Sequence, residues 1–196
     1  MAKPLAPERP ANTIVPVTLL VIADDEFVIQ RVPKAHADLL VSCGDMPDDI
    51  ILELAARCEC SEILAVKGNH DSGSSFATPI RDLHLNLFHF RGIGFGGFCG
   101  SWKYKPRGHY LFEQPEVDLK LASFPRVTVF VAHNSPRHVH DREDEVHTGF
   151  SAFNGYIERA QPKLFLHGHQ HEQVETTLGQ TRVIGTYGHR FLVLPE

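Results

Sequence analysis

Five short stretches of this chain combine carboxylate, amide and imidazole side chains. They are Asp24-Asp25-Glu26, Gly44-Asp45-x-x-Asp48, Gly68-Asn69-His70-Asp71, Ala132-His133 and Gly168-His169-Gln170-His171. Each follows an apolar run of strand length: Val17 to Ala23, Leu39 to Ser42, Ile63 to Val66, Val127 to Val131 and Leu164 to Leu166. Strands of a layered α/β domain deliver their carboxyl ends to one edge of the sheet, so the five groups can converge. Oxygen and imidazole ligands gathered in this way suit two divalent cations and hydrolysis of a substrate held against them.

Taken in order, the five blocks resemble the calcineurin-like metallophosphoesterase superfamily. Gly-Asn-His-Asp and Gly-His-x-His are specific together, although either alone is a weak signal. The resemblance runs from Val17 to at least His171. It implies an α/β fold, a four-layer α/β/β/α sandwich of two mixed sheets flanked by helices. It also implies that Asp45 is shared by two ions about 3.5–4 Å apart. Asp24 and His171 then bind the first ion, and Asn69, His133 and His169 the second. His70 binds no metal and protonates or stabilises the leaving oxygen, with Asp48 supporting it by a hydrogen bond. The implied reaction is in-line attack on phosphorus by a hydroxide bridging the two ions.

The first block departs from the family. Glu26 stands where the family usually has histidine. One reading makes Glu26 an oxygen ligand of the first ion, and the other points it to solvent. As a ligand it hardens the site, which favours Mn²⁺, with Fe²⁺, Mg²⁺ or Zn²⁺ as alternatives. Three carboxylates and a hydroxide then nearly cancel two divalent charges. A near-neutral centre attracts a phosphomonoester dianion weakly, which points to phosphodiesters. Asp25 is expected on the opposite face, and Asp71 as a cap for its own loop. His169 and His171 share one side of an extended stretch. His167 has the same parity and is expected to pack beside the site.

The loop from Asn134 to Gly149 starts at His133 and carries Arg137, His138, His140, Arg142 and His147. Arg137, His140 and His147 are the candidates for contact with a substrate phosphate. Ser101 to Tyr110 interleaves Lys103, Lys105 and Arg107 with aromatics and is expected to be a solvated hairpin, with base stacking as the alternative. Gly92 to Gly100 lacks the Lys-Ser/Thr ending of a P-loop, so its glycines serve tight turns or close backbone approach.

The remaining pattern supplies the elements that must carry these groups. Ile50, Ile51, Leu54, Ala55 and Cys58 form a helical stripe behind Pro47, and Phe150, Phe153, Ile157 and Ala160 another that stops near Pro162. Residues 114–123 form a short helix. Leu85 to Gly100 alternates as paired antiparallel strands, Gly179-Gln180 turns a hairpin, and Arg190 to Leu194 ends the chain as a strand. Residues 1–12 are a flexible Pro-rich tail and residues 13–196 one domain.

Composition narrows the function. The chain has 196 residues, 42% of them hydrophobic, which is enough for a substantial core. A net charge of −5 opposes a broad basic face for extended nucleic acid. Small phosphate esters remain, because bound cations reverse the local field. The run Ile14 to Ala23 is far short of the roughly 20 apolar residues of a membrane helix, so no membrane is expected. Cys43, Cys58, Cys60 and Cys99 show no zinc spacing and no disulfide framework, which fits the cytoplasm. The expected function is a binuclear metal-dependent phosphoesterase, a phosphodiesterase of a small or nucleotide-like ester. The alternatives are a nuclease of the same superfamily and a non-catalytic scaffold on the same fold.

Overall fold

The computed structural model describes residues 15–194. The tail expected over residues 1–12 lies outside them. In chain order the elements are β1 (Val17–Ala23), β2 (Leu39–Ser42), α1 (Asp48–Arg57), β3 (Glu62–Ala65), β4 (Arg81–Asp82), β5 (Leu87–Phe90), β6 (Ile93–Phe98), β7 (Ser101–Trp102), β8 (Leu111–Phe112), α2 (Gln114–Leu121), β9 (Val129–Ala132), α3 (Ser151–Ala160), β10 (Leu164–His167), β11 (Val174–Leu178), β12 (Thr181–Gly185) and β13 (Gly188–Leu194). A 3₁₀ turn, Glu26–Gln30, follows β1.

Two mixed sheets are built from these strands. One has the order β13-β1-β2-β3-β4, the other β11-β12-β10-β9-β6-β5. β1, β2 and β3 run parallel, with Leu19 opposite Leu39 and Leu39 opposite Glu62. β9 and β10 are parallel in the second sheet.

Strand alternation divides the apolar residues into three cores, because successive side chains leave opposite faces of a strand. The odd positions of β1, Leu19 and Val21, meet Val129, Val131, Leu164 and Leu166 between the sheets. The even positions Leu20 and Ile22 pack with Leu40 against Ile51, Leu54 and Ala55 of α1. On the far side, Phe130 and Phe165 pack against Val117 and Leu121 of α2 and Phe153 and Ile157 of α3. Three cores between four layers make the α/β/β/α sandwich. Among the described residues no helix is long and apolar enough to cross a membrane.

The region after β6 departs from expectation. Ser101 to Tyr110 is not a hairpin, since β7 and β8 pair in parallel. The chain loops back on itself, and the Ser101 and Lys103 amides donate to the Tyr110 and Phe112 carbonyls at 2.9 and 3.1 Å. Left-handed backbone at Gly100 and Tyr110 accommodates the loop. β5 and β6 are antiparallel as expected, while β6 also runs parallel to β9.

Candidate metal centre

The carboxyl ends of β1, β2, β3, β9 and β10 meet at one edge of the sandwich. They bring Asp24, Asp45, Asn69, His133, His169 and His171 to one place. Parity does not achieve this. Asp24, Asp45, His169 and His171 all have left-handed backbone, with φ of 59°, 52°, 65° and 52°. The two histidines of the last block therefore do not share a side of an extended stretch. A turn, with the Gln170 amide donating to the Gly168 carbonyl at 2.8 Å, swings each inward. Gly44, at φ +98°, permits close approach, since a Cβ there would lie 2.7 Å from both the Gly68 nitrogen and His133 Nδ1.

Donor atoms of Asp45, His133 and His169 all lie within 4.8 Å of one another. His133 is fully buried. Its Nδ1 faces the Cys43 carbonyl at 2.9 Å, and a carbonyl only accepts, so the proton is on Nδ1. Nε2 is thereby aimed at Asn69 Oδ1, 3.0 Å away, and Asp45 Oδ2, 3.3 Å away. The Asn69 amide nitrogen donates to the Tyr104 hydroxyl, which turns its oxygen inward. His169 Nε2 donates to the Val146 carbonyl at 3.0 Å, leaving Nδ1 for the centre. These second partners fix tautomer and ring orientation in the manner of metal-ligating histidines.

Asp24 and His171 form the other half. The Asp24 side chain is fully buried, and Oδ2 accepts from the His169 amide at 2.8 Å. Oδ1 has no hydrogen-bond partner and lies 3.8 Å from His171 Nε2. A buried carboxylate oxygen without a partner is costly unless a cation meets it. With the convergent donors of Asp45, His133 and His169, it makes these residues a chemically suitable site for a divalent cation. Glu26 is exposed at the start of the 3₁₀ turn and lines the same cleft, of about 630 Å³.

The electrostatics follow from burial. Burial pushes the Asp24 carboxyl up to about 7, against the pull of the His133 charge. Burial opposes charge on His133, but the Asp45 charge and hydrogen bond win and raise it to about 9. Burial likewise opposes charge on Asp45, yet His133 and the His70 amide hold it below the usual carboxylate range. Without metal, a proton thus occupies the position between Asp45 and His133. Burial and the His133 charge drive His169 well below its ordinary value, so it stays neutral.

Other expected residues sit differently. Asp48 does not hold His70: its oxygens accept from Lys67 Nζ at 3.0 Å and from the Ala77 amide at 2.6 Å. Lys67 is nearly buried and also lies over the Phe76 ring, 3.8 Å from its centroid. His70 is exposed, and its amide donates to Asp45 Oδ1 at 2.8 Å. Asp71 does more than cap its own loop, since Oδ2 accepts from the Gly68 and Asp45 amides at 2.7 and 3.0 Å and joins the second and third blocks. Asp25 caps the 3₁₀ turn through the Phe27 amide and pairs with Arg31.

In the loop, His140 points away from the centre, because both ring nitrogens are engaged, with His167 Nε2 and Thr176 Oγ1 at 2.9 Å each. Burial takes His167 down to about 3, which leaves it a neutral acceptor for His140. Arg137 pairs with Asp141 and lines a neighbouring cleft with Tyr104 and Thr148. His147 is the candidate that reaches the centre: its ring lies 5.2 Å from that of His169 and 6.2 Å from that of His171. Two contributors escaped the sequence reading. Lys67 was hidden as a lone cation after an apolar run. Gln170, the variable position of Gly-His-x-His, clamps the loop by donating to Ser135 Oγ at 3.1 Å and the His147 carbonyl at 3.0 Å.

The sandwich, with carboxylate, amide and imidazole donors at its strand ends, has the architecture of the calcineurin-like phosphoesterases. A family model for the calcineurin-like phosphoesterase superfamily domain matches residues 22–186, and the chain belongs to that superfamily. TT1561 of Thermus thermophilus superposes with a TM-score of 0.59 at 16% identity, covering 88% of this chain and 90% of that one. Phosphopantetheinyl hydrolase (PptH) of Mycobacterium tuberculosis gives 0.59 at 16% identity, covering 91% and 96%. Both likenesses are of fold. No curated protein matches the sequence.

Proposed function

We propose that this protein is a two-metal phosphodiesterase acting on a small or nucleotide-like phosphate ester. The observation that carries the reading is the convergence of Asp45, His133 and His169 donors within 4.8 Å, facing the partnerless Asp24 oxygen. Asp45 would serve both ions; Asn69, His133 and His169 would hold one, and Asp24 and His171 the other, with Glu26 completing it. Bound divalent ions supply Lewis acidity and a nucleophile at neutral pH. His70, exposed beside Asp45, serves the leaving oxygen, and His147 contacts the phosphate. Manganese suits the mixture of carboxylate, amide and imidazole donors.

The diester preference rests on charge. The cleft is lined by Asp24, Asp25, Glu26, Asp45, Asp48 and Asp71 against Lys67. Such a surround repels a phosphomonoester dianion more than a diester monoanion, and the net charge of −5 disfavours extended nucleic acid. The test is metal analysis of chelator-free protein beside turnover of bis-p-nitrophenyl phosphate and p-nitrophenyl phosphate. Two ions per chain and faster diester hydrolysis are expected. A single ion, or a strong monoester preference, sinks the proposal.

A further inference from the structure

The cleft that holds the metal-facing carboxylates also carries two exposed aromatic rings. Phe27 is 65% and Tyr187 38% exposed, and both line the same cavity as Asp24, Asp45 and His70. Neither ring belongs to any of the three cores. Exposed rings of this size lose free energy to water unless something covers them.

The backbone that carries each ring is held in place. The Phe27 amide donates to Asp25 Oδ1 at 3.1 Å, which caps the 3₁₀ turn, and Asp25 is held in turn by Arg31. Val28, the next residue, is fully buried and anchors the turn in the core. Tyr187 lies between β12 and β13, its carbonyl accepts from Gln173 Nε2 at 2.7 Å, and its ring centroid is 5.4 Å from that of His171. Aromatic side chains have few rotatable bonds, and on a held backbone they lose little order on stacking.

The remaining lining narrows the occupant. Pro47 adds apolar surface to the same cleft, while acids are the commonest of its polar residues. A volume of about 630 Å³ exceeds what a phosphate alone fills and falls within the range of sites that enclose a whole small ligand. We propose that Phe27 and Tyr187 form a ring-binding subsite, which takes the nucleobase of a nucleotide-like ester while its phosphate meets the metal centre. The proposal rests on the phosphoesterase reading above and specifies its substrate class: a phosphate ester bearing a flat, uncharged ring.

The test uses the full chain loaded with Mn²⁺ and titrated calorimetrically with adenosine 5′-monophosphate, ribose 5-phosphate and phosphocholine. Stacking of one base is expected to make the adenylate bind about tenfold tighter than the ribose phosphate. Phe27→Ala removes that advantage and leaves ribose 5-phosphate binding as it was, whereas Phe27→Trp retains it. Equal affinities for the two phosphates overturn the subsite. So does an equal loss for both in Phe27→Ala, or tighter binding of phosphocholine, which indicates an aromatic cage for a cation. Adenosine titrated into chelator-treated protein separates the two readings. If the metal centre is wrong but the subsite right, adenosine still binds and Phe27→Ala weakens it. If the subsite is wrong, adenosine fails to bind even where inorganic phosphate binds the loaded protein.

Discussion

Four of the residues facing the centre occupy backbone that L-amino acids avoid. Asp24, Asp45, His169 and His171 each carry a positive φ, at a cost on the order of 1 kcal/mol apiece. The strain is local and the ligand geometry depends on it, so function and stability oppose one another at these positions. His171 offers the clearest test because its side chain is 55% exposed and its loss leaves no cavity. His171→Gly is expected to stabilise the metal-free protein by about 0.5–1 kcal/mol in urea denaturation, while weakening metal binding. A destabilised metal-free variant contradicts the strain argument. The ligands inside the centre behave otherwise. Asp45→Ala and His133→Ala are expected to lose metal and turnover together, and His70→Ala to keep its metal while losing most turnover. Elemental analysis paired with a diester assay distinguishes these patterns, and full activity in both ligand variants contradicts the assignment.

At the scale of elements, the strand-and-ligand plan was legible because each ligand block follows a run of Val, Leu, Ile or Ala. The stripe Ile51, Leu54, Ala55 marked α1, and Phe153, Ile157, Ala160 marked α3. Short elements were not legible. β4, β7 and β8 have two residues each, too few for a period, and their pairing is set by distant chain. The same limit hid the partners of polar residues: the family resemblance implied that Asp48 supports His70, whereas tertiary packing gives it to Lys67. This pair ties the start of α1 to the segment after β3, since Asp48 also holds the Ala77 amide. Asp48→Ala leaves a nearly buried ammonium without its counter-ion and is expected to cost about 2–3 kcal/mol. Lys67→Met keeps the Ala77 hydrogen bond and the packing on Phe76 and should cost less than half of that. Equal losses in thermal or urea unfolding contradict the asymmetry.

For the whole molecule, the centre links folding to protons and metal. Asp24 ionises near 7 in the metal-free fold against 3.8 as an ordinary aspartate. The native state therefore holds a proton that the unfolded chain releases, and stability from this group falls as pH rises from about 4 to 7. His133 is raised to about 9 from 6.5, so its contribution is complete below 6.5 and lost as pH rises through 9. Both groups destabilise the metal-free protein in the same direction. The Asp45 contribution is lost only in acid, below this window. Divalent ions held by these residues would displace those protons, so binding is expected to release them and to strengthen as pH rises. Metal at 100 times its dissociation constant adds about 2.7 kcal/mol per site, so two sites add about twice that, or roughly 10–20 °C in Tm for a chain of this size. Scanning calorimetry with chelator and with Mn²⁺ is expected to show a small Tm difference at pH 5 that widens to that range by pH 8. Asp24→Asn should flatten the decline of the metal-free protein between pH 4 and 7. A Tm difference that stays constant from pH 5 to 8 means that no proton is exchanged for metal, and the ligand set built around Asp24 and His133 is then wrong.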